Sequence, residues 1–164
     1  PNLGIYSYAR GVFAKPPIDG ATTSAQVLYR VRQGQFIYSR LFAFEGAFAI
    51  VPVHLDGAFV SNEFPPFDIL PSFGAAFLRA YFADPKTWQS LQAGSLGLGS
   101  RRQRVNESHL LRHELWLPPE SDRARLAKVM AALDRAGNSV VTTALEALIP
   151  AMLHEIFNGG AMAA

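Results

Sequence analysis

The sequence predicts an α+β fold, with mixed strands and short helices over residues 1–119 and a long helical, coiled-coil-like segment over residues 120–164. Three observations lead there. Up to about Ile69, apolar runs and period-two alternation are punctuated by Gly and Pro, as strands and turns require. Helical spacing first appears at about residue 72, in two short blocks. Pro118-Pro119 then opens a stretch dominated by Ala and Leu.

The elements follow in order. "SAQVLYRVR" at 24–32 alternates, with Val27, Tyr29 and Val31 on one face and Leu28, Arg30 and Arg32 on the other. Gly34 leads into "QFIYSRL", and "AFAIVPV" at 47–53 is a short apolar strand. "HLDGAFV" puts Asp56-Gly57 where a tight hairpin turn belongs, and Pro65-Pro66 close the strand system. Phe73, Phe77, Leu78, Tyr81 and Phe82 recur at helical spacing behind Ser72, a candidate N-cap. In the next helix Asp84 caps, Pro85 takes the first turn and Gly94 marks the stop. "LLRHELWLPP" reads as a last strand. Beyond the prolines, positions 126, 130, 133, 137, 141, 145, 148 and 152 form one apolar seam with a stutter at Gly137-Asn138. One helix through 120–157 would reach roughly 55 Å and want a partner helix. A break at Gly137 would instead give a hairpin of two, and Pro150 should kink whatever passes through it.

Composition narrows the functional classes. Apolar residues make up 49% and charged ones 17%, which argues for a core and against disorder. With no cysteine there is neither a disulfide framework nor a thiolate metal site. No apolar run reaches the roughly 18 residues of a membrane span, and the expectation is a cytoplasmic protein without a membrane partner. Charge is unevenly spread: residues 1–104 balance at +4 and residues 105–164 at −2. Twelve of the fifteen cations are arginine, whose planar fork suits bidentate contacts to phosphate or guanine.

Catalytic motifs fail one by one. "EFPPFDI" at 63–69 resembles the adenine-methyltransferase signature, but Phe64 stands where a side-chain acceptor is needed. No glutamate is followed two positions later by Lys or Arg, which removes the common metal-nuclease pattern. His109 and His113 have the i, i+4 spacing of a shared metal but no third ligand, and read as surface histidines. "GSLGLGS" lacks the Gly-Lys-Ser/Thr of a phosphate loop. The expectation is no catalytic residue, no metal and no cofactor. What remains is "GLGSRRQRV": Arg101, Arg102, Gln103 and Arg104 behind Gly97 and Gly99, either a solvated basic loop or a grip on something anionic. Arg40 is a second candidate, with pairing to Glu45 as the alternative. Asn62, beside Glu63, is a third, able to read a base edge or simply fill a turn.

"LYRVRQGQFIYSRLFAFEGAFAIVP", "GAFVSNEFPPFDI", "GLGSRRQRV" and "LWLPP" before an Ala/Leu-rich helical stretch together resemble the DNA-specificity (S) subunits of type I restriction–modification systems. The resemblance runs over roughly residues 2–160. It implies that residues 1–119 form a target recognition domain reading one half of a split site in double-stranded DNA. Residues 120–164 would be the family's helical spacer and dimerisation region, docking methyltransferase (M) subunits, with restriction (R) subunits joining through the complex. The implied protein is non-catalytic. Family members have the unit twice, so a single copy implies a fragment, a truncated product or a half-subunit that dimerises through its helices. The family's helical region usually opens with Glu-Gln, whereas "PPESDRARLAKV" has Glu120 without Gln. Stretches such as "SRLFAFEG" and "RRQRV" recur across members of different specificity, which implies phosphate contacts or framework pairing rather than base choice. Base readers are then expected in the loops around 10–24 or 54–62. A reading module of a fused restriction–methylation enzyme and a remnant acting only through helix pairing are the alternatives.

Overall fold

The computed structural model describes residues 1–16, 25, 27–92, 104–136 and 140–159. The chain is α+β: the described residues form seven short strands in two sheets, three short α-helices, then two longer ones. Strands β1 (Asn2–Ile5), β2 (Val12–Lys15), β3 (Leu28–Arg30) and β6 (Phe59–Ser61) form one sheet in the order β2-β1-β6-β3. Strands β4 (Phe36–Tyr38), β5 (Phe48–Ile50) and β7 (Pro66–Phe67) form the other in the order β5-β4-β7. β1 pairs antiparallel with β2 and parallel with β6, and β3 pairs antiparallel with β6.

The three-stranded sheet is the centre of the molecule. All three residues of β4 are buried because both of its faces are covered. Ile37 packs with Leu3, Val31, Ala49, Val51 and Val60, toward the four-stranded sheet. Phe36 and Tyr38 point the other way, into an aromatic cluster with Phe48, Phe82 and Trp88. Phe48 and Phe82 stack with ring centroids 4.4 Å apart. The buried Trp88 indole donates to Phe82 O at 2.8 Å, so its one polar atom is satisfied.

Phe82, Trp88 and Leu91 of that cluster come from helices α1 (Ala75–Tyr81) and α2 (Pro85–Gln92) and the turn between them. α2 starts as expected: Asp84 Oδ1 accepts from Lys86 N at 3.0 Å and Pro85 fills the first turn. Gly94 lies outside the described residues. α1 starts later than its apolar spacing suggests. Its N-cap is Gly74, without a side-chain cap, and Ser72 sits in the preceding turn.

Three further expectations are corrected. Asp56-Gly57 is a turn, with Gly57 at φ 76°, but it joins no hairpin: β5 pairs with β4, and β6 pairs with β1 and β3. Among the described residues of the alternating stretch at 24–32 Val31 alone is buried, while Val27 and Tyr29 are exposed, because β3 lies at the edge of its sheet. The stretch read as a last strand, 110–119, forms none: Leu110 and Leu111 end a one-turn helix, α3 (Glu107–Leu111), capped by Asn106 Oδ1 accepting from His109 N at 2.8 Å, and 113–119 are neither strand nor helix.

α4 (Glu120–Ala136) opens directly after the prolines, and α5 (Val140–Gly159) follows. They pack together, with Arg125 Nη2 of α4 3.8 Å from Glu155 Oε2 near the far end of α5, so the two run antiparallel. The 55 Å rod is therefore a hairpin. Leu126, Met130 and Leu133 are buried on α4, as the seam requires. Seam positions 137, 141 and 145 lie outside the described side chains; among those described on α5, Ile149, Leu153 and Ile156 are buried, while Leu148 is 48% exposed. Because α4 and α5 run antiparallel, one heptad register cannot run through both helices. Both helices bury these residues against Phe77 and Ala80 of α1, and Arg79 Nη1 binds Asp134 Oδ1 at 2.6 Å across the junction.

Candidate nucleic-acid interface

The arginine-bearing segment is fastened to the central sheet where it enters the described residues. Val105 N donates to Arg40 O at 2.9 Å, and the Tyr38 hydroxyl donates to Val105 O at 2.9 Å. Arg40 N in turn donates to Glu63 O at 2.9 Å, which ties in the turn after β6. Side chains add a second set of ties. Arg104 Nη2 lies 3.1 Å from Glu63 Oε1, and Arg40 Nη2 lies 2.8 Å from Glu107 Oε2. Arg40, Arg104 and the Asn62-Glu63 turn are thus brought to one place, and the Asn62 side chain is exposed there. Arg101, Arg102 and Gln103 lie outside the described residues.

Arg40 does not pair with Glu45. Its partner is Glu107, and Glu45 instead accepts from Ser7 Oγ at 3.0 Å. At 23% side-chain exposure Arg40 is largely inside, and its Nε is buried with no partner among the described residues, as is Glu63 Oε2. Burial, with the Glu107 carboxylate beside it, pushes the Tyr38 phenol well above its usual range, so it stays a neutral donor to Val105.

The two histidines are also corrected. Both are half-buried and hydrogen-bonded: His109 Nε2 to Leu91 O at 3.0 Å and His113 Nε2 to the Tyr81 hydroxyl at 2.8 Å. Burial, and then the neighbouring His109, hold His113 below the usual histidine range. Among the described residues no three His, Asp or Glu side chains gather as metal ligands would, and no helix is long and apolar enough to cross a membrane.

Pairing sorts the cations. Arg32, Arg40, Arg79, Arg104 and Arg125 all have carboxylate partners, Arg32 through Asp68 at 3.0 Å. Hydrogen bonds from Gln35 and Arg32 hold the Asp68 carboxyl below its ordinary value. Arg10, Lys15 and Arg30, all belonging to the four-stranded sheet or its first hairpin loop, have no carboxylate partner among the described residues. Lys15 Nζ lies 5.2 Å from the Phe64 ring centroid, beside the Glu63 that binds Arg104. Lys15 therefore adjoins the fastened arginine segment. Sequence reasoning missed Lys15 at this surface, because nothing in the residue order shows which cations the fold leaves unpaired.

The fold is similar to that of a solved protein. Superposed on the HsdS subunit from Thermoanaerobacter tengcongensis, the chain gives a TM-score of 0.62 at 24% identity over 80% of its length. It spans about a third of that protein, 34%. No protein-family model matches the sequence, and no curated protein matches it significantly.

Proposed function

We propose that the chain is the non-catalytic, DNA-reading specificity component of a type I restriction–modification complex. The fold likeness to an HsdS subunit over 80% of the chain carries this reading. In it, residues 1–119 are a target recognition domain that reads one half of a bipartite site. Residues 120–164 are the helical region that docks methyltransferase subunits and pairs with a second recognition half. Restriction subunits join through that complex, and the chemistry belongs to those other chains, with their own cofactors. The setting is the cytoplasm.

Arg101, Arg102 and Arg104 hold phosphate, with Gln103 as a further polar contact. Arg40 and Asn62 complete the surface, Arg40 chiefly by tying the segment to Glu107 and the central sheet. Anchoring an arginine run through Arg104 and Val105 supports this division, since phosphate contacts set orientation without choosing bases.

Binding of the full chain to a duplex library across a salt series tests the proposal. Affinity should fall steeply, with a log–log slope of about −0.9 for each phosphate contacted. Replacing Arg101 and Arg102 by Ala should flatten the slope and leave sequence preference in place. Lost preference at unchanged slope would reverse their assigned role. Cleavage or methylation of DNA by the purified chain alone would overturn the non-catalytic reading.

A further inference from the structure

The β1–β2 loop holds a conformation that its residues do not favour. Tyr8 and Ala9 sit at φ 62° and 53°, the two non-glycine residues with positive φ among the described ones. Tight hairpin turns that need this backbone normally take Asn and Gly, because a Cβ there crowds the backbone. The surroundings enforce the shape. Tyr8 N donates to Glu45 O at 2.7 Å, Ala9 N to Gly46 O at 2.8 Å, and Tyr6 N to Gly11 O at 2.9 Å. Ser7 Oγ holds the Glu45 carboxylate, and Gly46 lies so close to Trp88 that a Cβ would collide with the indole. A turn that merely reversed the chain would need none of this. Persisting strain of this kind marks a segment held for what it presents.

It presents an arginine between two tyrosines. The Arg10 guanidinium lies 5.4 Å from the Tyr6 ring centroid and 5.9 Å from that of Tyr8. Its Nε donates to Ser7 O at 3.1 Å, and no carboxylate partners it among the described residues. Tyr6 is braced by Phe13 with centroids 4.4 Å apart, and the Tyr8 ring lies 6.1 Å from that of Trp88. Both tyrosines are exposed, Tyr8 at 61%. The fork is therefore oriented by its own Nε bond and by two aromatic faces, while its terminal nitrogens have no hydrogen-bond partner among the described residues.

We propose that Arg10, held between Tyr6 and Tyr8 on the strained β1–β2 loop, is a specificity-determining residue that reads the major-groove edge of a guanine in duplex DNA. This rests on the DNA-reading function proposed above. A phosphate asks mainly for charge and accepts it from many directions, as from flexible side chains. The O6 and N7 of guanine ask for two parallel N–H donors in one plane. A pre-oriented fork with rings on either side meets the second demand.

Selection of duplexes from a randomised library by the full chain, compared with Arg10→Lys, Arg10→Ala and Tyr8→Gly, decides the matter. Arg10 is exposed, so thermal melts of its variants should overlay the wild-type melt. Both Arg10 variants should lose discrimination at one G·C pair by roughly ten- to a hundredfold, with the other positions unchanged. Arg10→Lys should keep the salt slope, because it keeps the charge. Tyr8→Gly should raise the melting temperature by relaxing the turn, yet blur preference at that same pair. Unchanged preference in the Arg10 variants would overturn the role of Arg10 and leave the DNA-reading function standing. So would a change in salt slope alone, which would make Arg10 a phosphate contact. A wild-type chain that selects no sequence would overturn the reading function and this inference with it.

Discussion

Tyr38 is where the aromatic core and the arginine segment meet. Its ring packs with Phe36 and Phe48, and its hydroxyl satisfies the carbonyl of Val105. Tyr38→Phe keeps the packing and strands a buried acceptor, which costs about 1–3 kcal/mol. A thermal melt should register this as a fall of about 2–4 °C per kcal/mol for a chain of this size. Under the proposed DNA-reading function, DNA affinity should fall too, because the same hydroxyl positions the residues next to Arg104. His113 supplies a pH dependence. Its folded pKa lies below the ordinary value of 6.5, so the unfolded chain takes up a proton first as pH falls. Stability from this group is complete above about pH 6.5 and drains away as pH drops from there through the folded pKa. Urea denaturation between pH 8 and 5 should show that decline, and His113→Phe should flatten it. Neither role can be seen in the residue order. Tyr38 sits in "FIYSR" and Val105 in "RRQRV", 67 positions away, and only the folded chain brings them within 2.9 Å.

Among the elements, those whose signal is local were legible and those set by distant neighbours were not. Asp84 and Pro85 start α2, and the double proline starts α4, because capping and φ restriction act within a few residues. β4 was readable as a strand, but not that every one of its residues is covered, since that depends on a sheet on one side and helices on the other. Alternation at 24–32 misled for the converse reason: pattern assigns faces, and position at a sheet edge decides whether a face is covered. The helical hairpin gives the sharpest test. A seam running on through 148 would make Leu148 an interior residue, whereas the packing buries Leu126 and Leu153. Leu126→Ala should cost about 2–5 kcal/mol in urea unfolding. Leu148→Ala, in the same assay, should stay within about 0.5 kcal/mol of wild type. Equal losses at both positions would restore the continuous seam.

Across the whole molecule, charge pairing is the feature with functional reach. Among the described residues five arginines are matched to carboxylates, and three of the unmatched cations, Arg10, Lys15 and Arg30, belong to the four-stranded sheet or its first hairpin loop, with Lys15 beside the turn that fastens Arg104. The basic excess of residues 1–104 was plain from composition, but its location was not, because pairing across tens of residues selects which cations stay free. Another consequence of the architecture concerns α1. Phe77 and Ala80 of that helix sit under α4 and α5, and the Arg79–Asp134 bridge crosses the same junction. A protein engineer who grafts a foreign domain onto these helices, cutting at the double proline, would leave Leu126, Met130 and Leu153 without a seat. A successful chimera has to transplant the underside of α1 together with the bundle it supports.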